Sequence, residues 1–463
     1  MCIRDRCGVY EYVATTDALD GSGEWTNTQI GSFSAATMAS STFQTNTFDT
    51  DITLTWTQNT GVCASSQAEV IVRFNQPNES LENLNESVWM WGGLTDTDWQ
   101  TSSNWYNWDG SKWLRKSLDT PSSSDRVYVL PNSSAGLCVS AANAPIASTA
   151  NISDLIIATG ATIDLESATS LSGNLTNNGT INTSINSTLE FIGSSDQTVS
   201  GNSTDLNNMT VNKSTGSLIV NTPITVSGTL TMTQGNIENS QPVVIGTSSS
   251  NTGDLIHTNG IVTGELRRYF SNTTGSKFFP IGTSSRLRDV TVDFNESPGT
   301  NQYLTASYRA GVPQDDGATL YQGLPLMTSD NQLVQNYSEE GYWEINPTGD
   351  DYSSAINSTQ YTIDLHMNNI SNAEGFTSSN EYQNVRMIKS AGSNTPSLHH
   401  KTWTSLSHVE ATGVNSNFVL TASSTGFSVF NGGTNNGDAL PVELLSFNGT
   451  CHESSIELSW NTS

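Results

Sequence analysis

Between residues 150 and 265, Gly, Asn and Ser turns cut the chain into β-rich phrases of a few residues, and the phrases recur. LSGNLTNNGTI (171–181) returns as VSGTLTMTQGNI (226–237), which sets Gly173 and Gly228 55 residues apart (228 − 173). DLIIATGATIDL (154–165) is echoed by NMTVNKSTGSLIV (208–220) at a similar offset. A parallel β-solenoid needs this texture, because each coil stacks its apolar residues on the next while Asn, Ser or Thr ladder between turns. One 55-residue unit would hold two or three coils. Ordinary hairpins in a low-complexity stretch would give a similar pattern, so both readings stay open at this level.

The flanks are also strand-like, and the expected fold class is all-β. An Ig-like sandwich precedes the solenoid; a second sandwich and the start of a further β-module follow it. Residues 7–77 form the first sandwich: Ile52, Leu54 and Trp56 alternate onto one face, as do Ala68, Val70, Val72 and Phe74, with Glu69 and Arg73 opposite. Cys7 and Cys63 bracket this unit, and a disulfide between them is the expected staple for an exported domain of about 70 residues; two unpaired thiols are the alternative. Residues 78–88 read as a linker and 89–131 as a Trp-rich segment. The solenoid is assigned to 132–265. In 266–432, Val290, Val292 and Phe294 alternate, as do Tyr361, Ile363, Leu365 and Met367. A linker (433–440) then leads into 441–463. The opening MCIRDR, with three charges in six residues, resembles translated adapter read-through, so 1–6 are expected to be a non-native leader and the chain to continue past Ser463.

The segment WMWGGLTDTDWQTSSNWYNWDGSKW supports two readings. Trp91, Trp99, Trp105, Trp108 and Trp113 could form a platform that stacks on sugar rings. Alternatively, they cap the open end of the core that begins at RVYVLP (126–131). The cap is favoured because the run passes directly into that strand.

Charge narrows the function classes. Lys and Arg number 17 against 44 Asp and Glu, a net −27, and charged residues are 13% of the chain against about 25% in an average soluble protein. Nucleic acid and anionic membrane surfaces need clustered cations and are excluded as partners; no apolar run is long enough to span a bilayer. The five cysteines form no C-x-x-C pair, with Cys138 and Cys451 unassigned, and neither H-E-x-x-H nor G-x-S-x-G occurs. His399, His400, His408 and Glu410 could clip a metal across a hairpin, although polar-face residues give the same pattern. His366 is expected on the solvated face of its strand. Carboxylates of the repeat region (Asp154, Asp164, Glu166, Glu190, Asp196, Asp205) show no pairing suited to glycoside hydrolysis. Lys213 is the one cation between 150 and 266, too few for a polysaccharide lyase. Calcium is the candidate ligand, on the acidic turns Asp96/Asp98, Asp315/Asp316 and Asp350/Asp351, though Asp favours turns in any case.

The phrase ALPVELLSFNGTCHESSIELSW (439–460) resembles a junction in bacterial proteins exported by the type IX secretion system, where an LPVELLSF-like phrase opens a small β-module followed by an L-x-W strand. Leu440 to Phe447 match the phrase, and Leu458 and Trp460 the strand. DTDWQTSSNW, SGNLTNNGTI, GELRRYF and FFPIGT resemble the same class, and residues 7–77 resemble its Ig-like or PKD-like modules. The resemblance implies an extracellular or cell-surface location. The expected function is a non-catalytic, adhesin-like or structural segment, whose partners would be extracellular polysaccharide or other surface proteins. The rival expectation is an accessory or catalytic region of a secreted polysaccharide-degrading enzyme.

Overall fold

Strands hold 59% of the described residues and helices 3%, and the centre of the chain is a parallel β-solenoid of about six turns. The computed structural model describes residues 3–7, 11–17, 22–28, 31–45, 51–58, 66–75, 87–93, 95–109, 113–131, 144–315, 319–320, 323–347, 355–368, 381–390, 403–414, 417–434, 444–452 and 455–462. Two units divide the chain: 1–247 with 253–260, and 248–252 with 261–463.

The solenoid follows from side-chain alternation repeated in register. Ala168–Leu171, Thr188–Gly193, the first half of Asn208–Val220, the first half of Thr229–Asn239 and Asp254–His257 pair in parallel, each on the next. Their register aligns Leu171, Phe191, Val211 and Met232 in one inward row, and Thr169, Leu189, Met209 and Leu230 in another. Every member of both rows is buried. A second face aligns Leu155, Leu175, Val199 and Val220. The third carries Thr162–Leu165 on Thr180–Thr183, then Thr204–Leu206, Ile224–Val226 and Val243–Ile245 in succession. Alternation is strict enough that a slip of one residue would turn each row out to water, so burial fixes the register.

Coil length is 20 or 21 residues, as in the steps from Leu171 to Phe191 to Val211 to Met232. The 55-residue sequence repeat is therefore close to two and two-thirds coils. The two matching phrases sit at different corners: LSGNLT turns out of Ala168–Leu171 into Leu175–Asn177, whereas VSGTLT turns out of Ile224–Val226 into Thr229–Asn239. What repeats is a corner. At both, an Asx side chain of the preceding coil accepts the backbone N–H just after the glycine: Asp154 Oδ1 from Asn174 (2.6 Å) and Asn208 Oδ1 from Thr229 (2.9 Å). A Cβ at Gly173 would lie 2.2 Å from Asp154 Oδ1, and one at Gly228 2.5 Å from Asn208 Oδ1. Only glycine leaves room for these bonds.

The N-terminal sandwich sets Gly23–Asn27, Asp51–Gln58, Ser66–Asn75 and Ile3–Cys7 in one sheet, and Glu11–Thr15, Ser40–Gln44 and Ser32–Phe33 in a second. Ile52, Leu54 and Trp56 are buried with Tyr12, Trp25, Phe43 and Val72. Along the strand Ser66–Asn75, Val72 is buried, Val70 half-buried and Ala68 exposed, so that face dries only toward its middle. The backbone of Ile3–Cys7, expected to be mostly leader, pairs in parallel with residues 71–75. Cys63 lies outside the described residues.

In the second unit, Gly275–Phe279, Val290–Phe294, Tyr361–Asn368, Asn417–Ser424 and Ser407–Val414 form one antiparallel sheet. Leu266–Tyr269, Tyr303–Ala310, Gly341–Pro347, Val429–Thr434, Arg386–Ser390 and Trp403–Ser405 follow one another in a second. Val292 faces Ile363 and Phe294 faces Tyr361 across the first sheet, and Tyr361 stacks on Phe427 at 4.2 Å between ring centroids. The LPVELLSF phrase runs into a hairpin of Leu444–His452 with Ser455–Thr462, whose register places Phe447 opposite Trp460 and skips Leu445 as a bulge.

Phe191→Ala removes a ring from the centre of a continuous row and is expected to destabilise the solenoid by about 3–5 kcal/mol in urea unfolding. Its neighbour Ile192, on the outward side, should tolerate Thr within about 0.5 kcal/mol. Similar losses at both positions would contradict the assigned register.

Candidate functional site

The Trp-rich segment grows directly onto the solenoid. Val88–Trp91 pairs in parallel with Arg126–Val129, which pairs in parallel with Leu155–Ile157 of the first coil. Trp105–Trp108 folds back antiparallel on Val88–Trp91, and Trp113–Arg115 on Trp105–Trp108. The Trp99 N–H donates to Ile146 O, and Gln100 Nε2 to Thr149 O, so the segment also closes over the first strand of another face. Trp91, Trp99 and Trp105 are all 2% exposed or less. Trp99 and Trp105 meet edge-to-face at 4.6 Å, Trp91 and Trp105 at 4.9 Å, and Trp91 stacks on Trp99 at 6.3 Å. Trp105 Nε1 donates to Trp99 O at 2.8 Å. These three rings spend their faces on one another and offer none to a sugar. Trp108 is half-buried against Val88, Met90, Tyr106 and Tyr128. The Trp113 side chain lies outside the described residues.

One buried amide organises the loop between these strands. Asn104 Oδ1 accepts the N–H groups of Thr95 and Asp96, and its Nδ2 donates to Asp96 Oδ1 and to Asp98 O. Its backbone oxygen accepts from Gly92 and Gly93. The Asp96 carboxylate also takes the Asp98 N–H and the Thr101 hydroxyl, while Asp98 accepts from the Gln100 N–H. The Asn104 hydrogen bond leads in holding the Asp96 carboxyl below its usual range, against desolvation. The calcium candidates Asp96 and Asp98 are thus engaged as turn acceptors. Asp315 is described by its backbone alone, and Asp316, Asp350 and Asp351 lie outside the described residues, as do His399 and His400. Among the described residues, no group of three His, Cys, Asp or Glu side chains could hold a metal ion.

The repeat-region carboxylates are likewise occupied by their neighbours. Asp154 pairs with Arg126 (3.0 Å) besides accepting from Asn174, and Asp164 accepts from Asn182. Glu190 accepts from Ser170 and Asp196 from the Ser217 N–H. Glu166 and Asp205 are exposed. Lys213 turns into the core, 1% exposed, donating to Ser195 O and Gln197 Oε1 at 2.7 Å each; desolvation lowers its pKa, against the pull of Asp196. Gln197 passes the contact on to Leu171 O and Gly173 O, so one polar thread crosses three coils.

In the second unit, His366 is more than a solvated strand residue. Its Nδ1 meets the buried Asp289 carboxylate, and this hydrogen bond raises the imidazole pKa despite desolvation. Next in sequence, Arg288 is buried and shares Glu340 with Arg286, each at 2.6 Å, while its carbonyl accepts Trp343 Nε1 at 2.7 Å. A carboxylate-held imidazole is two-thirds of a hydrolytic triad. The His366 N–H also donates to Asp289 O at 3.0 Å, and with the side-chain contact this makes the pair a clasp on the strand Tyr361–Asn368. A second clasp joins Arg386 to Asp330: burial pushes that carboxyl up, but the Arg386 and Thr328 hydrogen bonds and the Arg386 charge prevail and bring it to about 2.

Asn104→Ala removes the acceptor of the Thr95 and Asp96 N–H groups and a donor to the Asp96 carboxylate, at about 1–3 kcal/mol for each group left buried and unpaired. It is expected to red-shift tryptophan emission and to open Trp91, Trp99 and Trp105 to acrylamide, both of which fluorescence reads. The two clasps predict opposite pH limits. The Asp330 contribution is complete above the ordinary carboxyl range and is lost as pH falls toward 2. The His366 contribution is complete below 6.5 and is lost as pH rises through the raised folded value. Asp330→Asn should therefore flatten the acid limb of the second unit's stability profile, and His366→Asn the limb above neutrality.

No protein-family model matches the chain, and neither the curated proteins nor the solved structures contain a match.

Proposed function

We propose that the chain is a non-catalytic structural or adhesin-like segment of a secreted or cell-surface bacterial protein exported by type IX secretion. The observation that carries this reading is the direction of the polar side chains. Asp154, Asn174, Asp196 and Asn208 each accept a backbone N–H of the following coil, so groups that could serve chemistry serve stacking instead. A stack held this way gives length and protease resistance at low charge density, and adhesion would come from many weak contacts of outward loops with polysaccharide or other surface proteins. The export route rests on the resemblance of Leu440–Phe447, Leu458 and Trp460 to the type IX junction. The rival, a polysaccharide-degrading enzyme, depended on a Trp platform, and three of its five rings are buried.

Incubation with a panel of bacterial and plant polysaccharides is expected to release no reducing ends, while a non-specific protease should leave a resistant fragment spanning about residues 144–260. Release of reducing ends by the purified protein would overturn the non-catalytic reading. In a type IX-competent host, surface display of the full gene product that survives deletion of the secretion machinery would overturn the export route.

A further inference from the structure

We infer that Asn259–Gly260, at the end of the last coil, is a site of spontaneous covalent modification: a succinimide forms there in the native protein and opens to aspartyl and isoaspartyl linkages. Two conditions favour that reaction, and the three Asn–Gly pairs of this protein whose side chains are described separate them. The glycine nitrogen must sit against the asparagine side-chain amide, as reacting atoms about 3–3.5 Å apart do in a near-attack arrangement. Water must also reach the asparagine side chain, to protonate the departing nitrogen and carry off the ammonia.

At Asn259 both conditions hold. The Gly260 N–H donates to Asn259 Oδ1 at 2.8 Å, which holds the side-chain amide against the glycine nitrogen. The backbone around it is fixed: Thr258 N–H donates to Met232 O, His257 Nε2 bonds Gly260 O at 2.8 Å, and Gly260 has φ +101°. A Cβ at Gly260 would meet Gly235 O at 2.2 Å, so the corner requires glycine, the residue that least obstructs attack by its own nitrogen. Asn259 itself is exposed.

Asn431 has the contact without the exposure. Gly432 N lies 2.7 Å from Asn431 Oδ1, but the side chain is fully buried and its Nδ2 is held by Ser338 O at 3.0 Å. Asn178 has the exposure without the contact, since no hydrogen bond joins the Gly179 N–H to its side chain among the described residues. In the reaction the Gly260 nitrogen bonds to Asn259 Cγ while its proton, which faces Oδ1, passes by way of that exposed amide to solvent. The Cγ–Nδ2 bond breaks, and Nδ2 takes a proton from solvent and leaves as ammonia. Water then opens the ring, at the Cγ–N bond to give aspartate or at the backbone C–N bond to give the isoaspartyl linkage. No other reactant is needed. The product sets a new carboxylate, or an extra backbone methylene, two residues from His257.

The test is incubation of the intact protein at neutral and mildly alkaline pH, followed by Glu-specific digestion and mass spectrometry. Isoaspartate is counted by enzymatic methyl transfer. In the folded protein, position 259 is expected to gain the amide-to-acid mass shift at least about tenfold faster than 178 or 431, and the three rates should converge once the protein is unfolded in denaturant. Equal native rates at 259 and 178, conversion of 431 alongside 259, or an amide at 259 that reacts only after unfolding would each overturn the assignment.

Discussion

Register-locked stacking of one coil on the next is the constraint on which the solenoid depends. Each rung buries only a few side chains: Phe191 and Leu189 in one, Val211 and Met209 in the next. A single coil could not repay the conformational entropy of its own ordering, and stability accumulates through the interfaces between coils. The Asx bonds at the corners act in the same direction. They satisfy backbone donors that neither face can reach, and each spans two coils.

A stack of open coils has exposed ends, and the aromatic segment answers the first of them. An uncovered end would present unpaired backbone groups and the apolar interior together, a template for association with other proteins. The strands around Met90 and Tyr128 continue one face outward, and the Trp99 and Gln100 contacts close over another. Large rings suit this place because a few residues must cover a wide, flat section of core. Edge-to-face packing lets Trp91, Trp99 and Trp105 do so without leaving ring faces to water.

Much of this was legible in the sequence, where alternation is strict. Ile52/Leu54/Trp56 and Val290/Val292/Phe294 are buried as their period of two requires. The coil length was hidden, because the matching phrases mark corners, which recur at fractions of a coil. Lys213 carried an available signal: in NMTVNKSTGSLIV it shares the parity of Met209 and Val211, and so the inward face. The partner of His366 carried none. Asp289 is distant in sequence, and only sheet pairing brings the two together. The tryptophans were ambiguous for a similar reason, since spacing does not say whether rings point at solvent or at each other.

The unusual composition follows from the same geometry. In a parallel in-register stack, equivalent positions on successive coils lie about 4.8 Å apart. Like charges at that distance repel by about 1 kcal/mol even at the dielectric of water, and a charged position repeated through the stack would repel at every step. The outward row formed by Asn151, Ser170, Glu190, Thr210 and Thr231 contains a single charge, and that charge accepts a hydrogen bond from the serine one coil away. Asp164 with Asn182, and Glu238 with Ser217, repeat the arrangement of one acid beside one neutral donor. Scarce charge and abundant Asn, Ser and Thr are thus conditions for stacking. Within the solenoid they describe the scaffold.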